Sequence, residues 1–222
     1  MLEYYRDFNL KNITSKKYRH LFLILFWPVY LTLFALTEKY IVPVYEVYCP
    51  LDDLIPFCEF FVIAYFSWYA MLAFVSLYEL LFDIDAFKKF YKFLCVTSAC
   101  AFLFFILFPN MQNLRPTEFV RHNIFVDAMK GIYAIDTNTN VCPSFHVTFS
   151  IGMLFSLWNS KHFSSIVWRI VFLIITILIC LSTVFLKQHS VIDVVAGIVL
   201  CFAVFPFIFI RSEGKNKKIK KE

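Results

Sequence analysis

Six predominantly apolar stretches divide the chain, at roughly Leu21–Val42, Pro56–Phe82, Leu94–Phe108, Phe145–Trp158, Ser165–Leu186 and Ile192–Ile210. A helix of about 20 apolar residues is long enough to cross hydrocarbon. The pattern therefore predicts an all-α, polytopic bundle of six transmembrane helices. The third and fourth stretches are short, and the polar residues beside them are expected to extend both helices toward the surface. Between these two, Val120, Ile124, Phe125, Ala128, Met129 and Ile132 recur at helical spacing, with Glu118, His122, Asn123, Asp127 and Lys130 on the opposite face. This predicts a short amphipathic helix, lying either at the membrane interface or against the outer ends of the bundle. Met1–His20 is polar and basic, and no small-residue cleavage site follows the first apolar run. That run is expected to be a retained helix rather than a cleaved leader. No internal repeat is evident, and residues 1–222 are expected to form one integral membrane domain.

Composition agrees with this reading. Of the 222 residues 60% are hydrophobic and 17% charged, and mean hydropathy is +0.70. Soluble domains are typically about 45–50% apolar, so a soluble enzyme is excluded. Only 4 glycines occur, which leaves no glycine-rich phosphate loop. The formal net charge of +5 does not imply a nucleic-acid partner, because the basic residues flank apolar stretches and so set orientation. With six spans, 16 of the 21 Lys and Arg residues fall on the side of both termini. Only Lys39, Arg115, Arg121, Lys130 and Lys187 fall on the other. The termini are therefore expected in the cytoplasm of a plasma-membrane protein, and the loop Pro109–Pro143 outside. The tail 211–222 is a solvated basic run beside anionic lipid. Seven cysteines lack metal-site spacing; Cys49 and Cys58 share a short loop and could pair in an oxidising compartment.

Three segments gather unusual polar residues at the expected outer face: 108–116, 142–146 and 182–193. His189 and Asp193 are four apart, on one face of a helix. A carboxylate there fixes the imidazole tautomer and frees the other ring nitrogen as a nucleophile or base. Such a pair near hydrocarbon marks a functional candidate, although it could also merely cap a helix. Ser182, Thr183 and Lys187 precede it, and Thr183 and Lys187 are spaced to face one anion. Pro143 and Ser144 suit a helix start, whose free amides and dipole favour an anion. His146 lies in that first turn, placed to protonate a leaving oxygen. Arg115 offers a planar fork matching phosphate. No Asp/Glu cluster suited to magnesium is present. The inventory favours phosphoryl transfer through a phosphohistidine, with neither metal nor cofactor.

These residues resemble the three motifs of the type 2 phosphatidic acid phosphatase (PAP2) superfamily, K-x6-R-P, P-S-G-H and S-R-x5-H-x3-D. The likeness covers about residues 108–197. It implies a helical bundle with an extracytoplasmic site, His189 as nucleophile, Asp193 as its partner and His146 as acid and base. It also implies that Arg115, Ser144 and the amide of Phe145 hold phosphate oxygens. Three positions depart from the motifs: Phe108 replaces Lys, Phe145 replaces Gly and Thr183 replaces Arg. Lys187 is the expected substitute for one lost cation, and Asn110, Gln112 and Lys130 are further candidate donors. The expected activity is hydrolysis of a lipid phosphate or prenyl diphosphate. The alternatives are headgroup transfer, as in inositol phosphorylceramide or sphingomyelin synthases, and an inactive lipid-binding protein. The expected partners are membrane lipids.

Overall fold

Short polar side chains set where most of the long helices begin. In the computed structural model, which describes residues 2–158, 160 and 162–210, Asp83, Asn123, Ser144, Ser165 and Ser190 each accept first-turn amides. These amides have no partner inside a helix, so a capping oxygen stabilises each start by about 1 kcal/mol. The helices so defined are α1 (Phe26–Tyr40), α2 (Val62–Phe82), α3 (Ile84–Leu107), α4 (Ile124–Ile135), α5 (Phe145–Leu157), α6 (Ile166–Phe185) and α7 (Val191–Phe205). Helix α1 continues from the 3-10 segment Arg19–Leu25, α2 from Glu59–Phe61, and α7 runs on into a π turn at Pro206–Ile210. The only strands among the described residues are Tyr45–Glu46 and Asn110–Met111, a two-residue parallel pair that ties two loops together.

Five of these helical segments are long and apolar enough to cross a membrane: Arg19–Tyr40, Glu59–Phe82, Ile84–Leu107, Ile166–Phe185 and Val191–Ile210. The chain is accordingly an all-α protein of integral-membrane character. The expected count of six is not confirmed, because the fourth stretch forms an apolar helix shorter than the other five. The third lengthens as foreseen, back to Ile84, because Asp83 caps it. The fourth stays at 13 residues, about 20 Å at 1.5 Å per residue, against a hydrocarbon core of roughly 30 Å.

Helix α5 is short because it is the hub. Within it only His146 and Phe155 escape full burial, and α2, α3, α6 and α7 pack around it. A helix that is apolar all round needs partners on every side. Close approach to α3 depends on Gly152, where an added Cβ would lie 2.7 Å from the Phe93 ring. Small residues at such crossings let membrane helices pack closely. Lipid-facing surfaces are instead rich in exposed side chains such as Leu31, Ile63, Leu103, Ile106, Val199 and Phe202.

Of the two placements foreseen for the amphipathic helix, packing on the bundle is the one observed. On α4, Met129 is buried with Val62, Tyr65 and Leu186, and Phe125, Ala128 and Ile132 pack beside them. Val120 lies outside the helix and is fully exposed. Cys49 and Cys58 are free thiols. The basic tail 211–222 lies outside the described residues.

Candidate active site

The three polar segments meet at one end of the bundle, and two amide side chains join them. Asn110 accepts the Val141 and Cys142 amides, both at 2.9 Å, which anchors the second segment on the first. Gln112 donates to the carbonyls of Lys187 at 3.0 Å and Gln188 at 3.3 Å, which anchors the third. Both side chains are buried. They act as clamps rather than as the phosphate donors considered from sequence. Lys130 is similarly remote in role, pairing with Asp127 on α4.

Asp193 is fully buried, and its Oδ2 accepts from His189 Nδ1 at 3.1 Å and from the Ser190 amide at 3.0 Å. The carboxylate therefore both braces the imidazole and closes the capping box of α7. The Thr183 carbonyl accepts the amides of Gln188 and His189, fixing the turn that presents the ring. Nδ1 faces the carboxylate, so Nε2 is the nitrogen free for chemistry. The His146 ring lies 6.0 Å away, centroid to centroid, and packs in tilted contacts at 4.5 Å against both Tyr65 and Trp68. His146 Nε2 is buried without a hydrogen-bond partner. The thiol of Cys142 stays protonated, its pKa pushed up to about 12 by burial and then by Asp193.

Both histidines open onto a cavity of about 840 Å³. Gln188, Asn140 and Asp136 line it near the histidines in sequence, and Leu31, Ala35, Leu72 and Leu77 line it from α1 and α2. A lining with both polar and apolar residues matches a headgroup and a lipid tail.

Ser144 Oγ caps α5 by accepting the Val147 amide at 3.5 Å. The Phe145 ring is absorbed into an aromatic cluster with Tyr30, Phe102, Phe105 and Phe149. Arg115 stands behind the cavity wall. Its guanidinium donates to Gln188 Oε1 at 2.6 Å and to the Thr137 and Tyr133 carbonyls, and it stacks on the Tyr133 ring. Burial lowers its pKa, an effect opposed by Asp136.

Three residues expected at the phosphate are not brought there. The Ser182 and Thr183 hydroxyls turn back onto the Ile179 and Cys180 carbonyls of their own helix, as buried hydroxyls in apolar surroundings do. Lys187, in a left-handed conformation with φ 53°, donates Nζ to the Asp52 carbonyl at 2.6 Å. It is absent from the cavity lining, so it is not placed where the lost cation was expected to be replaced.

Sequence reasoning passed over Gln188, Asp136, Glu38 and Asp52. Gln188 is 2% exposed and its Nε2 has no partner. Asp136 interacts electrostatically with His189, Arg115 and Glu38; burial, the largest influence, raises its pKa. Asp52 accepts from Ser190 Oγ and the Val191 amide. Their one visible signal was acidic or amide character beside apolar runs. Among the described residues, no group of three or more His, Cys, Asp and Glu side chains is placed to hold a metal ion.

The model of one family matches the chain across residues 51–207, and that family is the PAP2 superfamily. The chain belongs to the PAP2 superfamily. Searches of curated proteins and of solved structures gave no significant match. The match takes in all three segments whole, together with Asp52 and Asp136, while Glu38 and α1 lie outside it. As a PAP2 protein with membrane-spanning helices, the chain has the coarse character of a phosphatase-like lipid enzyme.

Proposed function

We propose that this PAP2 protein cleaves a lipid phosphate ester or prenyl diphosphate at the outer membrane face through a phosphohistidine on His189. The observation that carries the reading is the His189–Asp193 contact at 3.1 Å, with a second imidazole 6.0 Å away, at a cavity lined by both polar and apolar residues. His189 Nε2 bonds to phosphorus as the bond from phosphorus to the leaving oxygen breaks, and His146, which takes up a proton together with the bound phosphate anion, gives that proton to that oxygen. His146 then takes a proton from water, whose oxygen attacks phosphorus and releases His189. Asp193 stabilises the positive charge on the imidazole while the group is bound. The first-turn amides of α5 and Gln188 Nε2 are neutral donors for the phosphate oxygens. The outward orientation rests on the 16-to-5 asymmetry of Lys and Arg, a count that takes the short helix α5 as a sixth crossing.

A second reading, headgroup transfer to an alcohol, keeps every step except the acceptor. One observation favours it: no lysine or arginine is among the described residues lining the cavity, whereas Glu38 and Asp136 are. A phosphodiester carries one negative charge where a monoester carries nearly two at neutral pH, and so needs fewer cations.

The test is the purified protein in detergent with EDTA, given lipid phosphomonoesters, diphosphates and phosphodiesters, with phosphate release and headgroup transfer both measured. Turnover unaffected by EDTA is expected, and loss on chelation contradicts the mechanism. No turnover on any lipid would support the inactive lipid-binding alternative.

A further inference from the structure

A phosphate site is expected to be positively charged, and this cavity is not. Two carboxylates, Glu38 and Asp136, share its wall with the two histidines. Glu38 is held by Thr137, whose hydroxyl and amide both donate to its Oε1. Asp136 is close enough to His189 and to Glu38 to interact with both. A phosphate held at His189 therefore lies beside a negative wall. That arrangement repels a bare anion and suits one that brings its own cation. The same wall carries Trp27, Tyr30, Trp68 and Tyr69, whose ring faces attract an ammonium group. The buried Gln188 Nε2, on this wall and without a partner, leaves an independent opening for an oxygen of the same ligand.

We infer that the site selects lipid phosphate esters that carry an ammonium group beside the phosphorus, with the phosphate at His189 and the ammonium against Glu38, Asp136 and the aromatic wall. The inference rests on the phosphohistidine reading above and adds a specificity to it. The ammonium can come from the lipid side, as in a sphingoid-base 1-phosphate, or from the headgroup side, as in phosphatidylethanolamine.

Two matched pairs test it with the full chain in detergent: a sphingoid-base 1-phosphate against its N-acyl form, and phosphatidylethanolamine against its N-acyl form. N-acylation removes the positive charge and keeps the phosphorus ester. We expect about a tenfold higher kcat/KM for the ammonium-bearing member of at least one pair, and the pair that shows it names the source. Glu38→Gln and Asp136→Asn should each shrink that ratio severalfold, and Glu38→Asp should keep it. Tryptophan fluorescence of His189→Ala, reporting through Trp27 and Trp68, should show the same preference in binding. Equal treatment of both pairs, or ratios unmoved by Glu38→Gln and Asp136→Asn, overturns the specificity and leaves the phosphatase reading standing. Preferential binding with no turnover of any lipid keeps the specificity and overturns the phosphatase reading.

Discussion

Asp52 and Ser190 meet at 2.6 Å, the Ser190 hydroxyl donating to a carboxylate that also accepts the Val191 amide at 2.8 Å. The two residues are 138 positions apart, and Asp52 is 2% exposed. A loop before α2 thus caps α7 from outside and sets the turn that carries His189. The catalytic segment is braced from both ends, by Asp193 within its own helix and by Asp52 across the bundle.

Removal of the Asp52 carboxylate leaves a buried hydroxyl and a helix-start amide unpaired. Hydrogen bonds to a charged group contribute about 1.5–3 kcal/mol each. Asp52→Ala is expected to lower the thermal midpoint by several degrees and to reduce kcat more than KM. Thermal unfolding in detergent and kinetics on the same preparation check both. An Asp52→Ala protein with wild-type kcat contradicts the bracing role.

Asp193→Asn should separate the two duties of that side chain. The amide oxygen can still accept from Ser190, so α7 keeps its cap. The negative charge that steadies the His189 imidazole is gone. A loss of roughly 10²–10⁴ in kcat is expected, with little change in melting temperature. A large fall in stability with preserved kcat would show that the pair is only a helix cap.

Lys187 is expected to matter for stability and not for substrate binding. Its ammonium holds the Asp52 carbonyl, and its left-handed backbone costs about 1 kcal/mol for a residue with a side chain. Lys187→Ala should leave KM unchanged and lower stability. Lys187→Gly should recover part of that loss by relieving the backbone. A severalfold rise in KM for either variant contradicts this assignment.

Asp136 gives a dependence on pH with a definite sign. Burial raises its pKa, opposed by His189 and Arg115, so the folded protein holds that proton more tightly than the unfolded chain. The resulting stabilisation is complete below the ordinary carboxylate range and is lost as pH rises through the raised value. Asp136→Asn should therefore unfold at a higher temperature than wild type at neutral pH, and the gap should close in acid. A gap that widens in acid contradicts the buried-carboxylate account. Stability given up for a charge facing the cavity is typical of functional groups.

The helices and the reacting pair were legible in the sequence because each depends on local spacing. Apolar runs of spanning length mark the long helices, Ser144 marks a helix start, and a four-residue interval puts His189 on Asp193. What the sequence did not disclose depends on contacts between distant segments. Gln112 reaching Lys187 and Gln188, Asp52 reaching Ser190, and Glu38 reaching Thr137 all join residues 70 or more positions apart. The acceptors of Lys187 and Arg115 were not legible for the same reason: a cation's position along the chain does not say which acceptor its long side chain finds. Helix α5 ends within one residue of the stretch read as Phe145–Trp158, but the polar extension expected for it is absent, because an unbroken apolar stretch reads alike whether lipid or protein surrounds it.

The central claim is that His189 carries the phosphate. Brief reaction with a ³²P-labelled lipid phosphate ester that the protein turns over, followed by quenching in alkali, measures it directly. The account predicts label on the protein that is stable to base and labile to acid, absent from His189→Ala, and mapped to the peptide containing His189. Label that persists in His189→Ala, or wild-type turnover with no labelled protein at any time point, would contradict it.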